Sequence, residues 1–216
     1  MPGKFIVFEG IDGSGKTTQT RLLINILRKK GKKVKTIHFP QHQHKVFGVL
    51  VDEYLNNKFG KASRLDYRLA SILYACDRFE AKDKINTWLK QGHWIVLDRY
   101  VESNFGHQAG KIKNKNKRKE VMDWLFKLDY KIFKNPRPDI VFLLDVPEKI
   151  AAQLQTIMKK KKDGHEKDLI YLQNTKRAYL EACSSFKYWQ KIKCVENKRL
   201  LTPREISDNV WGKLKK

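Results

Sequence analysis

Residues Gly10 to Thr17 read Gly-Ile-Asp-Gly-Ser-Gly-Lys-Thr and fill every fixed position of the pattern G-x-x-x-x-G-K-[ST]. Side chains of these types at this spacing suit the holding of a triphosphate. Gly10, Gly13 and Gly15 allow backbone angles and a close approach that a Cβ would block. The whole run, Gly10, Ile11, Asp12, Gly13, Ser14, Gly15, Lys16 and Thr17, is assigned to the phosphates of a nucleoside triphosphate. Within it Lys16 would reach the β- and γ-phosphates, and the Thr17 hydroxyl would hold Mg²⁺. A second chemical element is the apolar run Trp94 to Leu97 that ends in Asp98. A carboxylate at a strand tip can hold Mg²⁺ directly or through water. Arg99, beside it, can clamp a second phosphate bidentately. That pairing points to transfer between two phosphorylated molecules rather than to simple hydrolysis. Phe142 to Asp145 is a similar apolar run, but Val146-Pro147 follows it, so Asp145 is expected only to help start a helix.

These groups need elements that bring them to one place. An apolar, strand-like run precedes the glycine loop and a helix-like run follows it, as a phosphate-binding helix N-terminus requires. Strands are expected at Lys4–Phe8, Val34–Phe39, Trp94–Leu97, Ile140–Leu144 and Ile192–Val195. Helices are expected at Lys16–Lys30, Val46–Asn56, Arg64–Lys90, Lys119–Phe133, Glu148–Met158, His165–Phe186 and Pro203–Lys215. Thr202, Pro203 and Glu205 form a start signal for the last helix. Alternating strands and helices with near-continuous apolar strands predict a parallel sheet covered on both faces. Ligands then bind beyond the carboxyl ends of the strands. Tyr100 to Lys117 begins at such an end, and it and the basic run Lys159 to Gly164 do not read as scaffold.

The chain has 216 residues, 41% hydrophobic and 11% aromatic, enough for a single core. No apolar stretch approaches the length of a bilayer span. The chain runs directly into its first strand, so no signal peptide is expected. Cys76, Cys183 and Cys194 are odd in number and widely spaced, which fits a reducing cytoplasm and no disulfide or metal pattern. The net charge of +23 attracts anions and speeds encounter with phosphorylated substrates. The lysines are spread along the chain and are not interleaved with aromatics in sequence, so no specific nucleic-acid partner is expected.

Phe8 to Gln19 resembles the P-loop of thymidylate kinases. Phe39-Pro40 and the stretch Gly48 to Gly60 are similar to the segments that follow in that family. Tyr74-Ala75-Cys76-Asp77-Arg78 resembles its F/Y-A-x-x-R helix, and Asp98 to Ser103 its D-R-Y-x-x-S signature. Gly106-His107-Gln108, Pro138-Asp139 and His165-Glu166 fall in order as well. The resemblance covers nearly the whole chain. It implies a P-loop NTPase-type three-layer α/β/α fold, with a five-stranded parallel sheet, in one domain over residues 1–216 with a short basic lid at about 159–166. The implied activity is transfer of the ATP γ-phosphoryl group to dTMP, giving dTDP, with Mg²⁺, in a homodimer.

The resemblance also implies roles for individual residues. Asp12 would contact the acceptor sugar 3′-hydroxyl, and Tyr74 would stack on the thymine ring. Arg78 and Gln108 would hydrogen-bond the ring's polar edge, Arg99 would bind the acceptor phosphate, and Ser103 would order the loop. Read from the helix alone, Arg78 would be a solvated side chain, and Lys82 one turn on offers it no acid. His107 stands where many relatives place an aromatic residue beside the ribose 2′ position, which bears on sugar selectivity. Ala109 replaces a frequent glycine. Gln41-His42-Gln43-His44-Lys45 lacks the arginine that many relatives place near the acceptor phosphate. Gln153 sits where an adenine-stacking arginine is usual. The P-loop variable positions carry no basic residue, a situation that goes in this family with basic lid groups. Lys159, Lys160, Lys161 and Lys162 would fill that role. A guanine-reading motif is absent: Asn114-Lys115-Asn116-Lys117 lacks the required Asp.

Overall fold

Phe5–Glu9 forms β1, and every one of its residues is buried. A strand covered on both faces belongs in the middle of a parallel sheet, and β1 is the central strand here. The computed structural model describes residues 3–42, 45–62, 64–157 and 169–215. The other sheet strands are β2 (Val34–Lys35), β3 (Trp94–Asp98), β4 (Ile140–Asp145) and β5 (Trp189–Lys193). They pair in the order β2-β3-β1-β4-β5, a 5-stranded sheet in which every pairing is parallel. A small antiparallel hairpin, β6 (Val195–Glu196) with β7 (Arg199–Leu200), follows β5.

The helices are α1 (Lys16–Lys29), α2 (Val46–Leu55), α3 (Tyr67–Glu80), α4 (Lys82–Lys90), α5 (Glu102–His107), α6 (Lys115–Phe126), α7 (Glu148–Ile157), α8 (Leu169–Ser185) and α9 (Pro203–Leu214). From β1 the chain crosses one way along the sheet to β2, and every later crossover runs the other way. Right-handed connections therefore place α1 on one face and α4 and α8 on the opposite face. α1 packs on β1 and β3, α9 lies against α1 and β5, α4 covers β3 and α8 covers β5. The expected three-layer α/β/α arrangement is the observed one. In the register, Phe8 stands opposite Asp98 and Glu9 opposite Leu143. The glycine loop and the Asp98-Arg99 pair thus leave neighbouring strands at the same sheet edge.

Several element boundaries differ from the sequence reading. Only Val34 and Lys35 of the expected second strand pair with β3; the chain then leaves the sheet towards the cis Phe39-Pro40 peptide. β5 lies upstream of the expected Ile192–Val195, because Trp189 and Ile192 fill the core while Lys191 and Lys193 stay at the sheet edge, where charge discourages further pairing. The expected helix Arg64–Lys90 is two helices, interrupted at Ala81, whose N–H bonds back to Arg78 O and Phe79 O. A one-residue break hardly disturbs a 3.6-residue pattern, so periodicity does not reveal it. The Asp66 side chain accepts from Arg68 N and starts α3. α6 begins earlier than expected, at an Asn114 cap that accepts from Lys117 N, and continues as a π-helical turn over Lys127–Ile132. The start of α9 is as expected: Thr202 Oγ1 accepts from Glu205 N, and the Glu205 carboxylate accepts from Thr202 N at 2.7 Å.

The lysines also differ from their linear pattern. Lys4 and Lys32 lie over the Trp94 ring at 5.9 and 5.8 Å, and Lys35 and Lys84 over Trp88 at 5.8 and 5.1 Å. Lys30 and Lys215 cover Trp211 at 5.2 and 5.5 Å. Folding interleaves charge with indole where the sequence does not. Each pair lets an aliphatic stem cover apolar surface while its ammonium stays in water.

Candidate active site

The loop after β1 closes tightly. Gly10, Gly13 and Gly15 all have positive φ, and a Cβ on Gly13 would lie 2.2 Å from Ala151 O. Ser14 N donates to Ile11 O at 3.1 Å. Lys16 is buried, and its Nζ donates to Gly10 O at 2.9 Å and Ile11 O at 3.0 Å. Burial pushes its pKa down and Arg99 acts the same way; Asp12, Asp98 and Glu9 oppose them without reversing the shift. A cation short of counter-charge in an N–H-lined loop is a site for an anion.

Thr17 Oγ1 donates to Asp98 Oδ2 at 2.5 Å, and Asp98 Oδ1 is buried with no hydrogen-bond partner among the described residues. These are hard oxygen donors, one of them unsatisfied, and they suit Mg²⁺. Among the described residues no cluster of three His, Cys, Asp or Glu side chains could hold a metal by itself. Mg²⁺ characteristically takes one or two carboxylates and completes its shell with phosphate and water.

Arg99 sits at the turn out of β3 with φ 72°, its N–H bonded to Phe8 O. Its Nη2 is paired with Asp12 Oδ1, and its Nη1 lies 2.9 Å from His107 Nε2. Lys16 Nζ lies 3.8 Å from the same Asp12 oxygen. Burial pulls the Asp12 carboxyl towards the neutral form, but Arg99 and Lys16 outweigh it and hold its pKa far below the ordinary value. One ionised carboxylate thus stands between the two phosphate-seeking cations.

Beside them opens a cavity of about 390 Å³. Its lining includes every residue expected at the acceptor: Asp12, Tyr74, Arg78, Arg99, His107 and Gln108. Gln108 Oε1 and Asn104 Nδ2 are buried without partners among the described residues. An acceptor and a donor left unsatisfied on a cavity wall suit a ligand with both kinds of polar group. Arg78 corrects the reading of it as solvated. It is buried, and its Nε and Nη2 each lie 2.9 Å from the Asp129 carboxylate, 51 residues along the chain. Nη1 is the nitrogen left to reach a ligand.

The structure adds groups that the sequence did not single out. Glu9 is fully buried at the end of β1, where its carboxylate accepts from Tyr100 N at 2.9 Å and Tyr179 OH at 2.9 Å. Ser103 Oγ donates to it at 2.9 Å, which is the loop-ordering role expected of Ser103. Burial raises the Glu9 pKa against the pull of Arg99. Tyr171, from α8, lines the cavity with its OH 2.8 Å from His107 Nδ1. The Asp145 carboxylate pairs with Lys176 at 3.2 Å, and α7 begins three residues on, at Glu148. His42 is bonded to Asp52, Ala109 is buried, and Gln153 is exposed on α7. The basic run Lys159, Lys160, Lys161 and Lys162, with the lid proposed at 159–166, lies outside the described residues, as do Gln43 and His44.

The family model described as thymidylate kinase matches residues 8–206. A thymidylate kinase of Thermosipho africanus is 33% identical over 218 residues, covering 98% of this chain and 95% of the relative. A thymidylate kinase of Plasmodium falciparum is 34% identical over 149 residues, covering 69% of this chain and 64% of the relative. The solved structure of thymidylate kinase from Candida albicans superposes with a TM-score of 0.74 at 25% identity, covering 99% of this chain and 92% of that one.

Proposed function

Because the chain belongs to the thymidylate kinase family, we propose that it transfers the γ-phosphoryl group of ATP to dTMP, giving ADP and dTDP. One observation carries this reading: Lys16 and Arg99 reach the same Asp12 carboxylate from either side, beside a cavity of nucleotide size. The glycine loop takes the triphosphate, Arg99 the acceptor phosphate, and Asp12 the acceptor sugar hydroxyl. Tyr74 offers a ring face to thymine, while Arg78 Nη1 and Gln108 meet its polar edge. Thr17 and Asp98 would hold Mg²⁺, which supplies charge neutralisation on the phosphates when bound. The acceptor oxygen is already ionised, so no general base is required; positioning and charge carry the catalysis.

The test is a screen of dTMP, dUMP, UMP, dCMP, dGMP and thymidine, following acceptor-dependent ADP release. The expected result is dTMP as the acceptor with the highest kcat/KM. Release of ADP independent of any acceptor would overturn the proposal.

A single domain is part of the same reading, supported by a main hydrophobic core that runs through the central strands and reaches α1, α8 and α9, with a small second cluster around Tyr54, Ala62 and Ala70. No described helix is long and apolar enough to cross a membrane. The free thiols of Cys76, Cys183 and Cys194 support a reducing, cytoplasmic setting. A homodimer is also proposed, and Val46, Val49, Leu69, Ile72 and Phe79 support it by exposing apolar side chains on α2 and α3, next to the acceptor cavity. Sedimentation at micromolar concentration is expected to give the mass of two chains. Replacing Leu69 and Ile72 by lysine should shift it to one.

A further inference from the structure

Arg99 is oriented by three groups, and one of them depends on a fourth. Asp12 takes Nη2, Ser103 Oγ lies 3.4 Å from Nη1, and His107 Nε2 lies 2.9 Å from Nη1. A guanidinium can only donate, so Nε2 must be the acceptor and the imidazole must be neutral. Its proton is then on Nδ1, where it is donated to Tyr171 OH at 2.8 Å. The rings of His107 and Tyr171 are stacked, with centroids 5.9 Å apart, and the Tyr179 ring meets His107 edge-on at 5.9 Å. α8 therefore holds the ring plane of His107 from two sides, and Tyr171 OH accepts the Nδ1 proton of the tautomer that the donor-only guanidinium selects. Among the described residues, the charged and titratable groups facing His107 include Arg99 and Asp12 from the strand-end loops, with Tyr171 and Tyr179 from α8.

The geometry points to His107 and Tyr171 as positioning residues for the known reaction class: Tyr171 accepts the Nδ1 proton of His107 and so supports the Nδ1–H tautomer, and that tautomer holds the Arg99 fork in the plane that receives the acceptor phosphate. This rests on Arg99 being the acceptor-phosphate ligand proposed above. The wrong tautomer would turn an N–H towards the guanidinium. Arg99 would lose a partner and gain a repulsive contact while Asp12 still held its other nitrogen. The effect falls on the acceptor and leaves the ATP cradle unchanged.

The experiment has two readouts on the full-length protein. Long-range ¹H–¹⁵N correlation on the free enzyme reports the tautomer of each histidine, with His107 identified by its loss in His107→Gln. The expected pattern is Nδ1–H in the wild type and a loss of that preference in Tyr171→Phe; an Nε2–H pattern in the wild type overturns the proposal. The second readout is steady-state kinetics. Tyr171→Phe is expected to raise the acceptor KM about fivefold, the loss of one neutral hydrogen bond, with the ATP KM unchanged. His107→Gln, whose amide oxygen can still accept from Arg99, should stay closer to wild type than His107→Phe. Adding Tyr171→Phe to His107→Phe should cost nothing further, because the link is already cut. An undiminished cost in that background, or His107→Phe equal to His107→Gln, overturns it. The tautomer is read without substrate, so it decides the hydrogen-bond chain even if dTMP is not the acceptor. The KM comparison then uses the nucleotide that the screen identifies.

Discussion

Lys16→Ala is expected to lower turnover of dTMP by about a hundredfold or more, the cost of losing one preorganised charged donor where transition-state charge develops. The buried ammonium is bonded to Gly10 O and Ile11 O and stands 3.8 Å from Asp12. Its removal therefore takes a cation from the phosphates and leaves Asp12 balanced by Arg99 alone. The measurement is steady-state ADP release with saturating dTMP, alongside circular dichroism to show that the variant is folded. Near-normal turnover in a folded variant would contradict the proposed mechanism.

The second large effect concerns stability. The Arg78 and Asp129 side chains are exposed by only 2% and 0%, so little water can replace the carboxylate at Nε and Nη2. Asp129 also accepts from Asn135 Nδ2 at 2.9 Å, which ties the end of the π-helical turn to α3. Asp129→Ala leaves a buried guanidinium unpaired and is expected to cost about 3–5 kcal/mol. Urea unfolding would show it as a lowered midpoint. Replacing both partners, Arg78→Met with Asp129→Leu, should recover much of the loss, since the penalty comes from the orphaned charge. The recovered protein should still bind the acceptor base poorly. That combination separates the pair's two roles: Asp129 holds the arginine, and the arginine's remaining nitrogen faces the ligand. A loss below about 1 kcal/mol for Asp129→Ala would mean that water reaches the pair.

Local chemistry was legible in the sequence, and long-range chemistry was not. The glycine loop could be read because its spacing is a local requirement: Gly13 has no room for a Cβ beside Ala151. Asp98-Arg99 could be read because a strand tip and a charged pair are contiguous. Thr202 and Glu205 cap α9 through neighbours in sequence. The partner of Arg78 could not be read, since local rules look one turn away and the acid comes from a different element. Glu9 was not singled out, because its partners Ser103 and Tyr179 lie 94 and 170 residues away. Tyr171 carried no signal at all, being an aromatic on a long helix until folding places it against His107. The break at Ala81 and the true register of β5 were likewise decided by packing, which overrode patterns that were locally self-consistent.

The lysine-covered indoles have a practical consequence. No tryptophan lines the cavity, whereas Tyr54, Tyr74, Tyr100 and Tyr171 all do. Trp88, Trp94 and Trp211 lie beneath ammonium groups and are not among the residues lining the cavity. Light absorbed by the indoles therefore reports on whether the chain is folded, and of the eight phenols only the four on the cavity wall sense whether it is filled. The molecule separates these two optical signals by where it keeps its rings.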